Sequence, residues 1–96
     1  MFRTFAFAIA LMVGLPGAAL ADIRVTNKTL GTIQVQIETG PKTEIRSNET
    51  AVLQSNRVQA RVTVYSFGFE RASTTVQNNS RLVVETRQGV WIIRPE

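Results

Sequence analysis

The side chains that most often carry enzymatic chemistry are scarce in this sequence. It contains no histidine and no cysteine, which removes the usual general base, the thiolate nucleophile and the commonest zinc ligands. A serine nucleophile would have to use a lysine, and neither Lys28 nor Lys42 lies in a Ser-x-x-Lys pattern. The glutamates lie beside turns or at polar strand positions, and Asp22 is the one aspartate. We therefore expect no enzymatic activity, no bound metal ion and no cofactor.

Residues suited to binding are concentrated in one stretch, RVQARVTVYSFGF at positions 57–69. Apolar and polar residues alternate there with a period of two, which is typical of a β-strand with one buried and one wet face. The residues predicted to face the core are Val58, Ala60, Val62 and Val64. The residues predicted to face solvent are Arg57, Gln59, Arg61, Thr63 and Tyr65, continued by Phe67 and Phe69 if the alternation persists through Gly68. We expect this segment to be the central strand of a sheet.

The solvent-facing row of this strand is the first candidate binding surface. Arginine and aromatic residues are enriched at protein contacts, so the candidate residues are Arg57, Arg61, Tyr65, Phe67 and Phe69. In the alternative interpretation, a bulge at residues 66–68 turns Phe67 into the core and leaves the two arginines as ordinary solvated charges. A further possibility is that Glu85, on a later strand, neutralises Arg61 across the sheet.

Trp91 is the second candidate. It is the one tryptophan, and it lies in the apolar segment VWII at positions 90–93. Apolar residues on both faces of a strand indicate either burial on both sides or one apolar face left for a partner. Both interpretations of Trp91, core residue and interface residue, remain open from the sequence.

Residues 1–21 have the layout of a secretory signal peptide. A positive charge at Arg3 precedes an apolar run over residues 5–15, which Pro16 ends, and small residues precede a cleavage site after Ala21. The run is shorter than the roughly 20 apolar residues that span a bilayer. We therefore predict cleavage after export by the general secretory route, with no transmembrane segment in the remaining chain.

Residues 22–96 are predicted to form a single all-β domain. Turn-forming residues separate short alternating segments, and no segment has a helical period. We expect a hairpin of residues 22–27 and 32–38, short strands near 43–46 and 50–54, an edge strand at 71–77, and a terminal hairpin of 81–87 and 90–94. Seven to eight short strands favour a small antiparallel β-sandwich or a partly open barrel.

The segment from Val64 to Val84, VYSFGFERASTTVQNNSRLVV, resembles the closing half of PEGA-type surface modules, small β-sandwiches of immunoglobulin-like architecture. In that family a strand reaches an aromatic turn containing glycine, and two further strands follow across a polar turn. The cysteine pair that brackets a tryptophan in immunoglobulin domains is missing. The resemblance implies a small module of the cell envelope that makes contacts and catalyses nothing.

These patterns together predict an exported binding or protein-interaction module. A small exported domain without cysteine is typical of the bacterial periplasm, since secreted domains of this size elsewhere depend on disulfides. Another envelope protein is the expected partner. An inhibitor of a periplasmic or foreign hydrolase is one alternative, and a binder of anionic envelope polymer or membrane surface is another, because the formal net charge is +4. The charges are too scattered to indicate nucleic acid.

Overall fold

The computed structural model describes residues 21–96, which form eight β-strands and contain no helix that could cross a membrane. The predicted signal peptide lies outside these residues, apart from Ala21, at which the first strand begins. The strands are β1 (Ala21–Asn27), β2 (Ile33–Ile37), β3 (Lys42–Ile45), β4 (Thr50–Ser55), β5 (Gln59–Ser66), β6 (Phe69–Gln77), β7 (Arg81–Arg87) and β8 (Val90–Pro95).

Residues 21–96 arrange these strands in two four-stranded sheets, with orders β4-β1-β7-β8 and β3-β2-β5-β6. Alternate side chains of both sheets point into the space between them, and the β-branched residues there are almost completely buried. The core residues are Ile23, Val25, Ile33, Val35, Ile45, Ala60, Val62, Val64, Leu82 and Val84. This arrangement confirms the predicted all-β sandwich, and the sheets do not close into a barrel.

The pairing of β1 differs from the prediction. β1 does not form a hairpin with β2, because it lies in the other sheet, antiparallel to β4 and parallel to β7. The connection between β1 and β2 crosses from one sheet to the other. Alternation in a sequence specifies which face of a strand is buried, but it does not specify which strand lies alongside. The predicted hairpin was therefore wrong, and the pair of β1 with β7 is parallel whereas the other strand pairs of residues 21–96 are antiparallel.

The interior position of β5, the edge position of β6 and the hairpin of β7 with β8 are confirmed. The predicted start of β5 at Arg57 is not confirmed. The strand begins at Gln59, and Val58, predicted to be inward, is 74% exposed. Residues 56–58 connect β4 in one sheet to β5 in the other, so the alternation that extends back to Arg57 in the sequence is interrupted by a turn in the structure.

Candidate functional site

Arg57 and Arg61 do not form an exposed row with Tyr65. Arg57 precedes β5, and its Nη1 lies 3.8 Å from Oε1 of Glu38 in the β2–β3 turn. The same carboxylate accepts a 2.6 Å hydrogen bond from the backbone N–H of Arg61 through Oε2. Between Arg61 and Tyr65, Thr63 is buried, so the predicted surface is interrupted. The carboxylate of Glu38 therefore already interacts, within this chain, with the side chain of Arg57 and the backbone of Arg61.

Tyr65 belongs to a polar network on the outer face of its sheet. Its hydroxyl donates a 2.9 Å hydrogen bond to Oε1 of Gln36, and Nζ of Lys42 lies 3.9 Å from the centroid of its ring. The ammonium group is close enough for a cation–π contact. Tyr65 is half-buried and its polar atom is satisfied by the neighbouring strand, so this side chain stabilises the pairing of β5 with β2.

Glu85 lies in the other sheet and does not neutralise Arg61, so that predicted alternative was wrong. Its Oε2 lies 3.0 Å from Nε of Arg94 and 2.9 Å from Nη2 of Arg87. The hydrogen bond from Arg94, with the charges of both guanidinium groups, holds the pKa of Glu85 below its ordinary value of 4.5. These three residues form a charge cluster that joins β7 to β8.

The remaining predicted residues meet at one end of the sandwich. Phe67 lies at the tip of the β5–β6 turn and is 93% exposed, while Phe69 is 65% exposed. Leu30, in the β1–β2 loop, is completely exposed, and it shares with Phe67 and the half-buried Trp91 the lining of a cavity of about 210 Å³. We call Leu30, Phe67, Phe69 and Trp91, with Arg71, the aromatic end patch.

Arg71 connects the rings of this patch. Its guanidinium carbon lies 5.6 Å from the ring centroid of Phe69 and 5.9 Å from that of Trp91. It reaches this position because β6 contains a bulge: Val64 pairs with Ala72, and Tyr65 pairs with Glu70, leaving Arg71 as the extra residue. Bulges redirect side chains in this way and are frequent beside functional sites.

Phe67 occupies a backbone conformation that suits few residues other than glycine and asparagine. Its φ is +53°, and that of Gly68 is +80°, as in the two-residue hairpin turns in which both central residues are left-handed. Neither prediction for Phe67 is therefore correct, since it neither continues the face of β5 nor turns into the core. Asn-Gly is the usual sequence signal for this turn, so the dipeptide Phe-Gly did not indicate it.

Asn27 braces the loop that carries Leu30. Its side chain is fully buried, and its Nδ2 donates hydrogen bonds to the carbonyl oxygens of Gly31 (2.8 Å) and Ile45 (2.9 Å). Its Oδ1 accepts hydrogen bonds from the backbone N–H and the hydroxyl of Thr29, at 2.8 and 2.6 Å. All the main hydrogen-bonding capacity of the amide is therefore used. An asparagine beside a turn in the sequence does not reveal that its side chain is buried and fully hydrogen-bonded.

Trp91 was open to two interpretations, as a core residue or as a surface residue available to a partner, and its side chain has a part of each kind. Its side chain packs against the core from β8, and its remaining surface opens onto the cavity beside Phe67. Sequence reasoning selected Phe67, Phe69 and Trp91 separately, but it missed Leu30 and Arg71. A leucine in a loop and an arginine in an edge strand carry no signal until the topology brings them beside the aromatic rings.

The chemistry available elsewhere in residues 21–96 is limited. A groove of about 630 Å³ runs between β6 and β8, and its lining combines threonine and asparagine side chains with Val76 and Ile93. Within the part of the chain that the structure describes, no three aspartate or glutamate side chains come together as a metal site. The aromatic end patch is thus the most distinctive surface of these residues.

Comparison of the chain with protein families, curated proteins and solved structures found no match.

Proposed function

We propose that this chain is an exported, periplasmic binding module without catalytic activity, and that it contacts another envelope protein through the aromatic end patch. The observation that carries the proposal is Phe67, a large aromatic residue that is 93% exposed at a turn position with a φ of +53°. The signal-peptide layout of residues 1–21 supports the location.

Phe67 does not stabilise the isolated domain. A bulky residue with positive φ costs about 1 to 3 kcal/mol, and a side chain this exposed recovers almost none of that by burial. Asparagine would fit the same turn with less strain. Conformational strain that is not offset within the fold is concentrated at functional sites. A partner that buries the ring would provide the missing stabilisation.

The composition of the patch suits a protein contact. Aromatic residues and arginine are enriched among the residues that contribute most to binding energy, and the patch places Arg71 between two of its rings. The exposed residues at its border, Thr32 and Thr86, are small and polar. An apolar centre with a polar rim is the usual anatomy of such an interface.

The patch is also held in place before any partner arrives. Asn27 fixes the Leu30 loop through four hydrogen bonds, and a two-residue turn fixes Phe67. Little conformational freedom of the backbone is left to lose on binding, which favours affinity.

The test is capture of the partner from an envelope extract by the immobilised chain and by the double variant Phe67→Ser, Phe69→Ser. Capture should fall tenfold or more, equivalent to about 1.4 kcal/mol, with no loss of thermal stability. Val58→Ser is the matched control, because Val58 is an exposed apolar residue at the opposite end of the sandwich. Equal capture of the same protein by the double variant and the unmodified chain would contradict the proposal.

Two further arms separate this function from binding to anionic polymer. Apolar contact should persist from low to moderate ionic strength, whereas polymer binding should collapse. The double change Arg57→Ala, Arg61→Ala should leave capture unchanged, because Arg57 precedes β5 and Arg61 lies near its start, whereas Phe67 follows its other end. Loss of capture in that variant would return the binding site to the predicted arginine row.

An inhibitor of a hydrolase is the second candidate, and Leu30 is the residue that favours it. A completely exposed side chain on a loop braced by buried hydrogen bonds is the kind of feature that enters a substrate cleft. If the captured partner is a hydrolase, adding the chain should lower its activity. Leu30→Ala should then restore that activity more than Phe69→Ser does.

A further inference from the structure

The described residues leave four strands at the edges of sheets: β3, β4, β6 and β8. Three of them carry features that discourage the addition of another strand. β3 has four residues and carries two charges, β6 contains the bulge at Arg71, and β8 ends at Pro95, which lacks an N–H group. β4, with the sequence TAVLQS, has no charge and no proline, and its register with β1 is continuous.

The backbone groups that β4 presents at its open edge can be identified. The N–H of Asn27 donates to the carbonyl oxygen of Glu49 at 2.9 Å, which continues the antiparallel register of β1 with β4. In such a ladder every second residue exchanges hydrogen bonds with the neighbouring strand. The odd-numbered residues of β4 therefore bond to β1. The N–H and C=O groups of Thr50, Val52 and Gln54 point away from it.

Through these three residues, β4 can pair with a second copy of itself that runs in the opposite direction. If a second copy of β4 pairs antiparallel about a twofold axis at Val52, then Val52 faces Val52 of the second copy, and Thr50 faces its Gln54. All three pairs use the backbone groups left free by β1, so six hydrogen bonds form. Val52, which is 48% exposed, would be covered, and no like charges within the strands oppose one another.

We propose that β4 is a self-association edge, at which two copies of this chain join their β4-containing sheets into one continuous eight-stranded sheet. The surface is separate from the aromatic end patch, so the proposal does not depend on the proposed function. A six-residue strand pair buries less area than a stable dimer needs. The dimer is therefore weak, with a dissociation constant on the order of 100 µM.

The first measurement is sedimentation of residues 22–96 from about 10 µM to about 1 mM, a range that brackets this dissociation constant. The average mass should rise towards twice that of one chain. Val52→Lys places two like charges at the axis and should keep the chain monomeric, while Val58→Lys, the matched change at another exposed valine, should leave the rise intact. A monomer throughout this range, in the unmodified chain, would overturn the proposal.

The register is tested by introducing one cysteine into this cysteine-free sequence. Residues of a hydrogen-bonded antiparallel pair have Cα atoms about 5.5 Å apart, a distance that a disulfide spans. Val52→Cys should therefore give a disulfide-linked dimer in a glutathione redox buffer. Gln54→Cys should give little, because the two copies of residue 54 would lie about 13 Å apart. Equal or greater linkage through residue 54 would overturn the proposed pairing.

Discussion

Two turns at the same end of the sandwich have almost identical φ values and differ in the first of their two central residues. Phe67 and Gly68 have φ values of +53° and +80°, and Gln88 and Gly89 have values of +51° and +81°. One turn joins β5 to β6 and the other joins β7 to β8, in opposite sheets. The shared glycine reflects what the turn geometry requires. The residue before it is free to vary, and the exposed phenylalanine there points to selection for something other than folding.

The strands that flank the two turns also differ, in the side chains that hold each pair of strands together. β7 and β8 are joined by the Glu85 charge cluster, whose members satisfy one another within the hairpin. β5 and β6 are interrupted by a bulge, and Arg71 of that bulge lies against aromatic rings instead of a carboxylate. One hairpin is organised around contacts within the domain. The other presents two exposed phenylalanine rings to solvent, whereas the first exposes Val90 and keeps Trp91 half-buried.

Asn27→Ala should have the largest effect, because it removes the buried side chain that braces the Leu30 loop beside these two turns. Its loss removes a donor from the carbonyl oxygen of Ile45 and the acceptor of the Thr29 N–H, and it leaves the carbonyl oxygen of Gly31 with the Thr29 hydroxyl alone. We expect the free energy of unfolding to fall by about 3 kcal/mol, of a total of about 5 to 10. Chemical denaturation measures this, with the exposed Asn56→Ala as control. A loss equal to that of the control would show that the buried network is not required.

Gly68→Ala and Gly89→Ala test whether the two turns are equivalent as backbones. An added Cβ meets no atom within 4 Å at either position, so the cost comes from the left-handed conformation alone. Each change should lower the free energy of unfolding by about 1 to 2 kcal/mol, and by similar amounts. If only one of the two substitutions is costly in denaturation experiments, the turns are not the matched pair that their φ values indicate.

Phe67→Asn and Gln88→Asn separate stability from binding. Asparagine is favoured at this turn position, so both changes should raise the free energy of unfolding, Phe67→Asn by about 1 kcal/mol and Gln88→Asn by less. Phe67→Asn should at the same time reduce capture of the partner, and Gln88→Asn should not. A Phe67→Asn variant that is both more stable and fully competent in capture would remove the functional explanation for the exposed ring.

Glu85→Gln should have the smallest effect, and it should be visible only through pH. Because the folded state holds the pKa of Glu85 below 4.5, its contribution to stability is present above that pH. The contribution is lost as the pH falls from 4.5 through the lower folded-state pKa. Melting temperatures between about pH 2 and 7 should therefore decline less steeply at the acid end in Glu85→Gln. An unchanged slope would show that the cluster does not couple to folding.

Local pattern was sufficient for much of the fold. The alternation around Val62 and Val64 predicted a strand with the correct buried face, and Gln88-Gly89 predicted the terminal hairpin. The partition of strands between the sheets was not predictable in this way. The pairing of β1 with β7 joins residues that are distant in the sequence, and inward isoleucine and valine residues look alike in either sheet.

The candidate site was predicted residue by residue but not as a surface. Phe67, Phe69 and Trp91 were selected for their chemical type, and the structure brings them to one end through a turn that the sequence did not reveal. Arg57 and Arg61 were selected from the same alternating run. Arg57 lies in the turn at residues 56–58 and Arg61 lies near the start of β5, so the length of that strand separates both arginines from Phe67.

Trp91 has a consequence for measurement. As the one tryptophan of the chain, it is the dominant source of intrinsic fluorescence, and its ring lies between the core and the cavity beside Phe67. The emission wavelength of an indole depends on its contact with water. Docking of another chain on this surface should exclude water from the exposed part of the ring and move the emission to shorter wavelength. The domain therefore contains its own optical reporter of occupancy, and no attached dye is required.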